Sequence, residues 1–428
     1  MPLWSIPMLY AATSLICGFV LPRLEHAYLA SYTLGVSVAS AQAFFSAVAS
    51  GMMALTGIVF AIAFVMVQFS AIAYSPRLVL LIARDPMLFH SLGVFIATFI
   101  YSLVALVWVD RGASGTVPPF SGWLAVGLLV LSMLLFSLLV RRLSDLQITN
   151  VLHAVGNKGR EVIREMFRRL DDNADVQSRT GKETVDGSGF GPATQTVKYF
   201  GEPRTIAKFD IDSLVRQGQQ AGAVIVMECA VGDALVEDTL LLQVHGAKEP
   251  LSEKSLMRAI HLELERTSEQ DPKYPIRLLV DIAIKALSPA INDPTTAVQA
   301  IDQIEDLLRR LGRRDLDAGY ARDANGVLRL VFPMPTWEDY LTLAFDEIRQ
   351  YGVSSVQVMR RLRSALVGLA DSVVADERVE AVRRYLEHLD AAIGRSSLDA
   401  DDQEMARDED RQGLGLSRRR AAQRTPSH

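Results

Sequence analysis

Four long stretches of the chain contain no Asp, Glu, Lys or Arg, and together they fill most of its N-terminal third. They are Leu3–Pro22, Ala27–Pro76, Met87–Val109 and Gly122–Val140. An α-helix needs about 20 mostly apolar residues to cross the hydrocarbon core of a bilayer. The strongest part of the longest stretch is Gln42–Ile72. The sequence therefore predicts an α-helical integral membrane domain of four spans over residues 1–140.

The charged residues are concentrated after this domain. Only four of the 44 Lys and Arg residues, and three of the 49 Asp and Glu residues, precede residue 141. Basic residues close to the spans mark the cytoplasmic side of a membrane. Arg77 and Arg84 lie in the second loop, and Arg141 and Arg142 follow the fourth span, whereas the other side has two arginines. We therefore expect a multi-pass protein with both termini in the cytoplasm, in a bacterium at the inner membrane.

Composition and motifs exclude several classes of function. The formal net charge of −5 indicates no basic surface for nucleic acid. The two cysteines, Cys17 and Cys229, exclude a secreted fold built on disulfides. The sequence has no phosphate-binding loop, dinucleotide fingerprint, nucleophile elbow or Cys/His metal cluster. We expect no enzyme activity, no cofactor and no bound metal.

The second span carries small and polar residues at helical spacing, and no acidic or basic residue lies inside any predicted span. Such charges are typical of proton-driven transporters, so their absence argues against that class. Small residues four apart let helices approach closely in lipid. This face either lines a pore between subunits or packs against another helix of the same subunit. The candidate pore-lining residues are Gln42, Ser46, Ser50, Gly57 and Gln68.

The remainder predicts an α+β cytoplasmic domain. Its segments are a helical stalk (141–170, weakened at Asn157–Gly159), a flexible linker (171–193), a small β subdomain (194–250), a mainly helical subdomain (251–398) and a disordered tail (399–428). In the β subdomain, Val231–Val236 followed by Leu240–Val244 resembles one hairpin of a barrel-sandwich hybrid, the fold of lipoyl and biotinyl domains. The carrier lysine of that family has no counterpart here, so the resemblance implies a shape and no cofactor.

Two patterns in the helical subdomain are candidate sites. Arg277, Asp281 and Lys285 are spaced i, i+4, i+8 and form a charge ladder on one helix face. This ladder is either a solvated stripe or a contact with a subunit or domain.

The second pattern is the loop before the next helix. Asp293 is a favourable N-cap with Pro294 at the first helical position. Either the loop is structural and leads rigidly into a capped helix, or its hydroxyls and the free N–H groups of the helix start bind an anion. The candidate anion-site residues are Ser288, Asn292, Asp293, Thr295 and Thr296.

Several motifs together resemble a bacterial family. They are Tyr74–Arg77 after the second of four spans, Asp281–Ala297 around Ser288–Pro294, Trp337–Tyr340 and Phe345–Gly352. The chain is similar over most of its length to the predicted membrane proteins called domain of unknown function 2254. The resemblance implies a multi-pass bacterial membrane protein, and it implies no activity.

Two functions from different classes remain. The first is a homo-oligomeric channel-like conduit, with the second span lining a narrow pore and the cytoplasmic domain acting as a gate or assembly collar. The alternative is a membrane-anchored sensor or scaffold whose cytoplasmic domain binds a protein or a small anionic ligand. In both cases the expected partners include the lipid bilayer, and the conduit also requires further copies of the chain.

Overall fold

A computed structural model describes residues 5–28, 37–73, 86–109, 119–144, 148–170 and 190–415. Two compact units divide the chain, Met1–Gln147 and Ile148–His428. Most of the predicted linker, the tail beyond residue 415 and the motif Tyr74–Arg77 lie outside the described residues.

The first unit contains four helices that are long and apolar enough to cross a membrane, as predicted. They are α1 (Ser5–Tyr28), α2 (Val38–Ala73), α3 (Pro86–Trp108) and α4 (Pro119–Ser144). Helix α3 lies at the centre, because it packs against each of the other three. Gly93 of α3 permits the close approach of α1, since a Cβ there would lie 2.6 Å from the ring of Tyr10.

Helix α1 is longer than the sequence predicted. The expected span ended at Pro22, but the helix continues through this proline to Tyr28. Its candidate membrane span is Ser5–Glu25. Neighbouring groups in membrane helices compensate for the hydrogen bond that proline lacks. The prediction that no acidic or basic residue lies inside a span is therefore wrong for Arg23 and Glu25, and the fourth candidate span ends on Arg141.

The second unit mixes helices with two small sheets. Its helices are α5 (Ile148–Met166), α6 (Ile211–Ala221), α7 (Glu253–Arg258), α8 (Lys273–Ala286), α9 (Pro294–Leu311), α10 (Trp337–Gly352), α11 (Val356–Ala370), α12 (Asp376–Gly394) and α13 (Ala400–Ala406). Its strands are β1 (Ala193–Tyr199), β2 (Arg204–Phe209), β3 (Val224–Met227), β4 (Ala234–Leu235), β5 (Thr239–His245), β6 (Ile260–Glu263), β7 (Tyr320–Arg322) and β8 (Leu328–Val331).

The strands form a five-stranded sheet of order β1-β5-β3-β8-β7 and a three-stranded sheet of order β4-β2-β6. Strands β3 and β8 are parallel, and the other pairs are antiparallel. One apolar cluster, with Ile206, Leu235 and Leu242 fully buried, joins the strands of both sheets. Strand β6 lies in the segment predicted to be mainly helical, whereas β7 and β8 flank Asn325-Gly326, a turn sequence typical of a hairpin, and pair as one.

The predicted hairpin of the β subdomain is not formed. Strand β4 pairs with β2, whereas β5 pairs with β1 and β3 in the other sheet. A local alternation of apolar and polar residues identifies strands, but their partners depend on contacts distant in the chain. The likeness to a barrel-sandwich hybrid stays a prediction.

Two further segments differ from the sequence predictions. Helix α5 runs without a break through Asn157–Gly159. Residues 399–415, predicted to be disordered, contain α13, which is capped by Asp399 and packs against α11 and α12. The side chain of Arg360 holds this segment, because its Nε donates to the carbonyl of Met405 at 2.6 Å.

Candidate functional site

All the candidate pore-lining residues of α2 lie on an exposed face of the helix: Gln42, Ser46, Ser50, Gly57 and Gln68. The opposite face is buried against α3, with Phe45 and Met52 each 2% exposed. A Cβ added at Gly51 or Gly57 would meet no atom within 4 Å. Within the described part of the subunit, no helix covers this face. The described helices of the subunit therefore leave these small residues uncovered.

The same face becomes apolar towards the C-terminal end of α2. Successive residues of a helix are rotated by about 100°, which places Met53, Phe60 and Phe64 on the face of Ser46 and Gly57. All three side chains are more than half exposed. The face thus combines a polar part from Gln42 to Ser50 with an apolar part from Met53 to Phe64, and Gln68 follows at its far end.

The interior of the first unit contains buried polar groups that the sequence analysis missed. Glu25 is 4% exposed and binds Ser121 at the start of α4. Farther along the interface of α3 and α4, the fully buried hydroxyls of Thr98 and Ser132 lie 3.0 Å apart. A signal for the acidic residue was present in the sequence. Ser14, Gly18, Pro22 and Glu25 recur at helical spacing, and all four are buried on one face of α1.

The charge ladder of α8 contacts another helix of the same unit. The guanidinium of Arg277 binds Asp281 at 2.6 Å and Glu347 of α10 at 2.5 and 3.0 Å. The hydrogen bond to Glu347 raises the pKa of Arg277 above its ordinary value. Burial lowers the pKa of Lys285. The geometry therefore favours a structural link between α8 and α10 over a solvated stripe.

The loop before α9 uses its polar groups internally. Asp293 caps the helix, accepting the N–H of Thr296 at 3.1 Å and its hydroxyl at 2.6 Å. The hydroxyl of Ser288 donates to the carbonyl of Lys285 at 2.7 Å. Asn292 adopts a left-handed conformation (φ 49°), while its side chain and that of Thr295 are exposed. The donors that an anion would need are largely engaged, and the adjacent Asp293 carboxylate would repel it.

Helix α5 is fastened to α9 by close packing and by an ion pair. A Cβ at Gly159 would lie 2.8 Å from Leu307 and 3.2 Å from Pro275. The guanidinium of Arg160 binds Asp306 at 2.7 Å. Gly159, in the segment that was expected to weaken this helix, instead lets it approach α8 and α9. Because α5 follows α4 after residues 145–147, this contact connects the last span to the helical core along the chain.

The ion pair at Asp306 predicts a dependence on pH. Burial alone would raise the pKa of Asp306, but hydrogen bonds from Arg310 and Arg160 outweigh it and lower the pKa. A lowered pKa stabilises the fold above the unfolded value of about 3.9, and this contribution is lost as pH falls through the folded pKa. We expect Asp306→Asn to destabilise by about 1 kcal/mol or less at neutral pH, since the pair is partly exposed. The difference in stability between Asp306→Asn and the wild type should vanish at a pH below the folded pKa of Asp306.

Thermal unfolding by circular dichroism at neutral and acid pH checks this expectation. Glu380→Gln is the matched control, because Glu380 forms an exposed pair with Arg383 at 3.7 Å. The prediction would be wrong if the melting temperature of Asp306→Asn fell between neutral and acid pH by as much as that of the wild type.

A second face of α9 holds a charge network around a buried arginine. Arg361 of α11, whose side chain is 5% exposed, binds Asp302 at 2.7 Å and Glu305 at 2.5 Å. Glu305 also accepts from Arg309 at 2.6 Å. Burial raises the pKa of Asp302, and Arg361 opposes that increase. The network joins α11 to α9. Over the residues that the structure describes, no group of three His, Cys, Asp or Glu side chains could hold a metal ion.

These features define a four-span membrane protein with a mixed helix and sheet unit after the spans. The chain belongs to the family described as predicted membrane protein DUF2254, whose model matches residues 1–367. Three relatives, one from Mycobacterium bovis and two from strains of Mycobacterium tuberculosis, are named as uncharacterized proteins. Each is 27% identical over 368 residues, covering 84% of this chain and 69% of the relative. No solved structure matches the chain.

Proposed function

We propose that this protein forms a homo-oligomeric, channel-like conduit in the bacterial inner membrane, with α2 at the contact between subunits. Both termini lie in the cytoplasm in this proposal, and the second unit acts as a gate or assembly collar. The proposal assigns no catalysis. The observation that carries it is the exposed face of α2, which holds Ser46, Ser50 and Gly57 and where an added Cβ at Gly57 would meet no described atom within 4 Å.

In a bilayer, small residues on a helix surface favour contact with another helix, because they let the two backbones approach closely. Apolar side chains are as well solvated by lipid tails as by protein, so helix contacts in membranes depend on close packing and hydrogen bonds. Gln42, Ser46 and Ser50 offer both to a second copy or to water in a narrow pore. Phe60 and Phe64 supply the apolar constriction by which such a pore closes when water leaves it.

The alternative of a sensor for a small anionic ligand has less support. In its candidate pocket before α9, the carboxylate of Asp293 lies at the helix start and accepts hydrogen bonds from both the N–H and the hydroxyl of Thr296. An anion there would meet a negative charge, and the donors of Thr296 are already engaged. A protein partner of the second unit stays compatible with the conduit, because a gate must respond to something in the cytoplasm.

The test combines oligomeric state with ion flux. The purified protein should be an oligomer in detergent by light scattering and should pass ions when reconstituted into liposomes. Ser50→Leu should lower the flux by at least about tenfold, since overpacking costs about 1–3 kcal/mol and about 1.4 kcal/mol is a factor of ten.

Gly127→Leu is the matched control, because Gly127 is exposed on α4 and its Cβ position meets no atom within 4 Å. This variant should keep the wild-type oligomer and flux. A stable monomer that passes no ions, or full flux from Ser50→Leu, would remove the proposal.

A further inference from the structure

Glu25 is a buried carboxylate at the end of a candidate membrane span, and the conduit leaves it without a role. Its side chain lies among α1, α3 and α4 and is 4% exposed. Burying an ionisable group without compensation is costly, so its hydrogen bonds show which state the site accommodates.

Both carboxylate oxygens bind the same residue of α4. Oε1 accepts the backbone N–H of Ser121 at 2.8 Å, and Oε2 accepts the Ser121 hydroxyl at 2.8 Å. Ser121 lies in the first turn of α4, where backbone N–H groups have no partner within the helix. A negative charge is favourable at that end of a helix. The ionised carboxylate thus caps α4 from a different helix.

The protonated acid fits the same two partners. A serine hydroxyl is both a donor and an acceptor. When Glu25 takes up one proton at Oε2, the new O–H donates to the Ser121 oxygen, while the Ser121 N–H continues to donate to Oε1. The neutral acid therefore keeps two hydrogen bonds without any movement of the backbone.

Among the residues that the structure describes, no ion pair fixes the charge of Glu25. On α1, the Arg23 guanidinium lies over the ring of Trp108, 5.0 Å from its centroid, and Cys17 lies two turns away. On α3, the Tyr101 hydroxyl donates to the backbone carbonyl of Ser121 at 3.2 Å. Helix α4 has no charged residue before Arg141. Asp110 and Arg111, between α3 and α4, lie outside the described residues.

We propose that Glu25 is a reversible proton-binding site, with Ser121 as the residue that satisfies the carboxyl group in both states. The ligand is a single proton taken from water at this end of the spans, and binding converts the carboxylate into a neutral acid. The inference does not depend on α2 or on ion flux.

Infrared difference spectroscopy of the full-length protein in lipid tests the proposal. A carbonyl band of a protonated carboxylic acid should grow as the pH is lowered and should be lost in Glu25→Gln. Glu25→Asp should move the band, which assigns it even where Glu25→Gln fails to fold. A band that survives in Glu25→Gln, or no titrating band over the pH range of native circular dichroism, would overturn the proposal.

A second variant tests the part played by the hydroxyl. Ser121→Ala removes one hydrogen bond from each state, and the bond to the ionised state is the stronger. The midpoint of the band should therefore rise by about one pH unit. Ser132→Ala is the control, because it removes an equally buried hydroxyl that binds Thr98. Equal midpoints in Ser121→Ala and Ser132→Ala would also overturn the proposal.

Discussion

Replacing Arg361 by leucine is expected to destabilise the contact between α9 and α11 by about 1–2 kcal/mol, between the cost of breaking a buried ion pair and that of breaking an exposed one. The guanidinium is almost completely buried and binds both Asp302 and Glu305. Removing one member of a buried ion pair leaves the remaining charge without compensation, but the Asp302 side chain is 48% exposed, so water compensates for part of the loss. Glu305 would retain Arg309, whereas Asp302 would lose Arg361 as its opposing positive charge, so the pKa of Asp302 would rise further.

Amide hydrogen exchange in the full-length protein measures this effect locally. At about 1.4 kcal/mol for each factor of ten, protection in α9 and α11 should fall by about tenfold. Arg383→Leu is the control, because Arg383 lies in an exposed pair and such pairs contribute about 0–1 kcal/mol. Equal protection in the two variants would show that the network is not a source of stability.

The features that were predictable from the sequence depend on local pattern. Uncharged length predicted the four spans, because lipid excludes charge along the whole of a crossing segment. The cap at Asp293 followed from its position before Pro294, and the structure contains that hydrogen bond. In both cases the residues that determine the structure are adjacent in the chain.

The features that were not predictable depend on contacts between distant residues. Pro22 normally marks the end of a helix, and only the packed neighbours of α1 show that the helix continues to Tyr28. Strand β4 pairs with β2 instead of β5, although β5 is closer in sequence. The segment after Asp399 has few apolar residues, but Arg360 and the buried Ala406 attach it to α11.

The candidate sites divide in the same way. Four-residue spacing identified the face of α2 that carries Ser46 and Ser50, but it could not show whether another helix covers that face. The ladder at Arg277 was correctly placed on one helix face, while its partner Glu347 lies 70 residues away. Glu25 was assigned to a loop because the span was ended at Pro22.

Gly159→Leu is expected to separate α5, the first helix of the second unit, from α8 and α9. Even a single added carbon would lie 2.8 Å from Leu307 and 3.2 Å from Pro275, both of them buried. The ring of Pro275 is rigid, so α5 must move away, at a cost of about 1–3 kcal/mol. Amide protection in α5 should fall by about tenfold or more, with α10 and α12 unchanged.

Gly394→Leu is the matched control for this change, since Gly394 is an exposed helical residue whose added Cβ would meet only Arg407 at 3.5 Å. Its α5 protection should equal that of the wild type. In the proposed conduit, Gly159→Leu should also alter liposome flux while leaving the oligomer intact, because α2 carries the subunit contact and α5 carries the connection to the gate. Unchanged protection in α5 would show that close packing at Gly159 does not hold this helix. A lost oligomer would show that assembly depends on the second unit, which would make that unit the collar of the assembly rather than its gate.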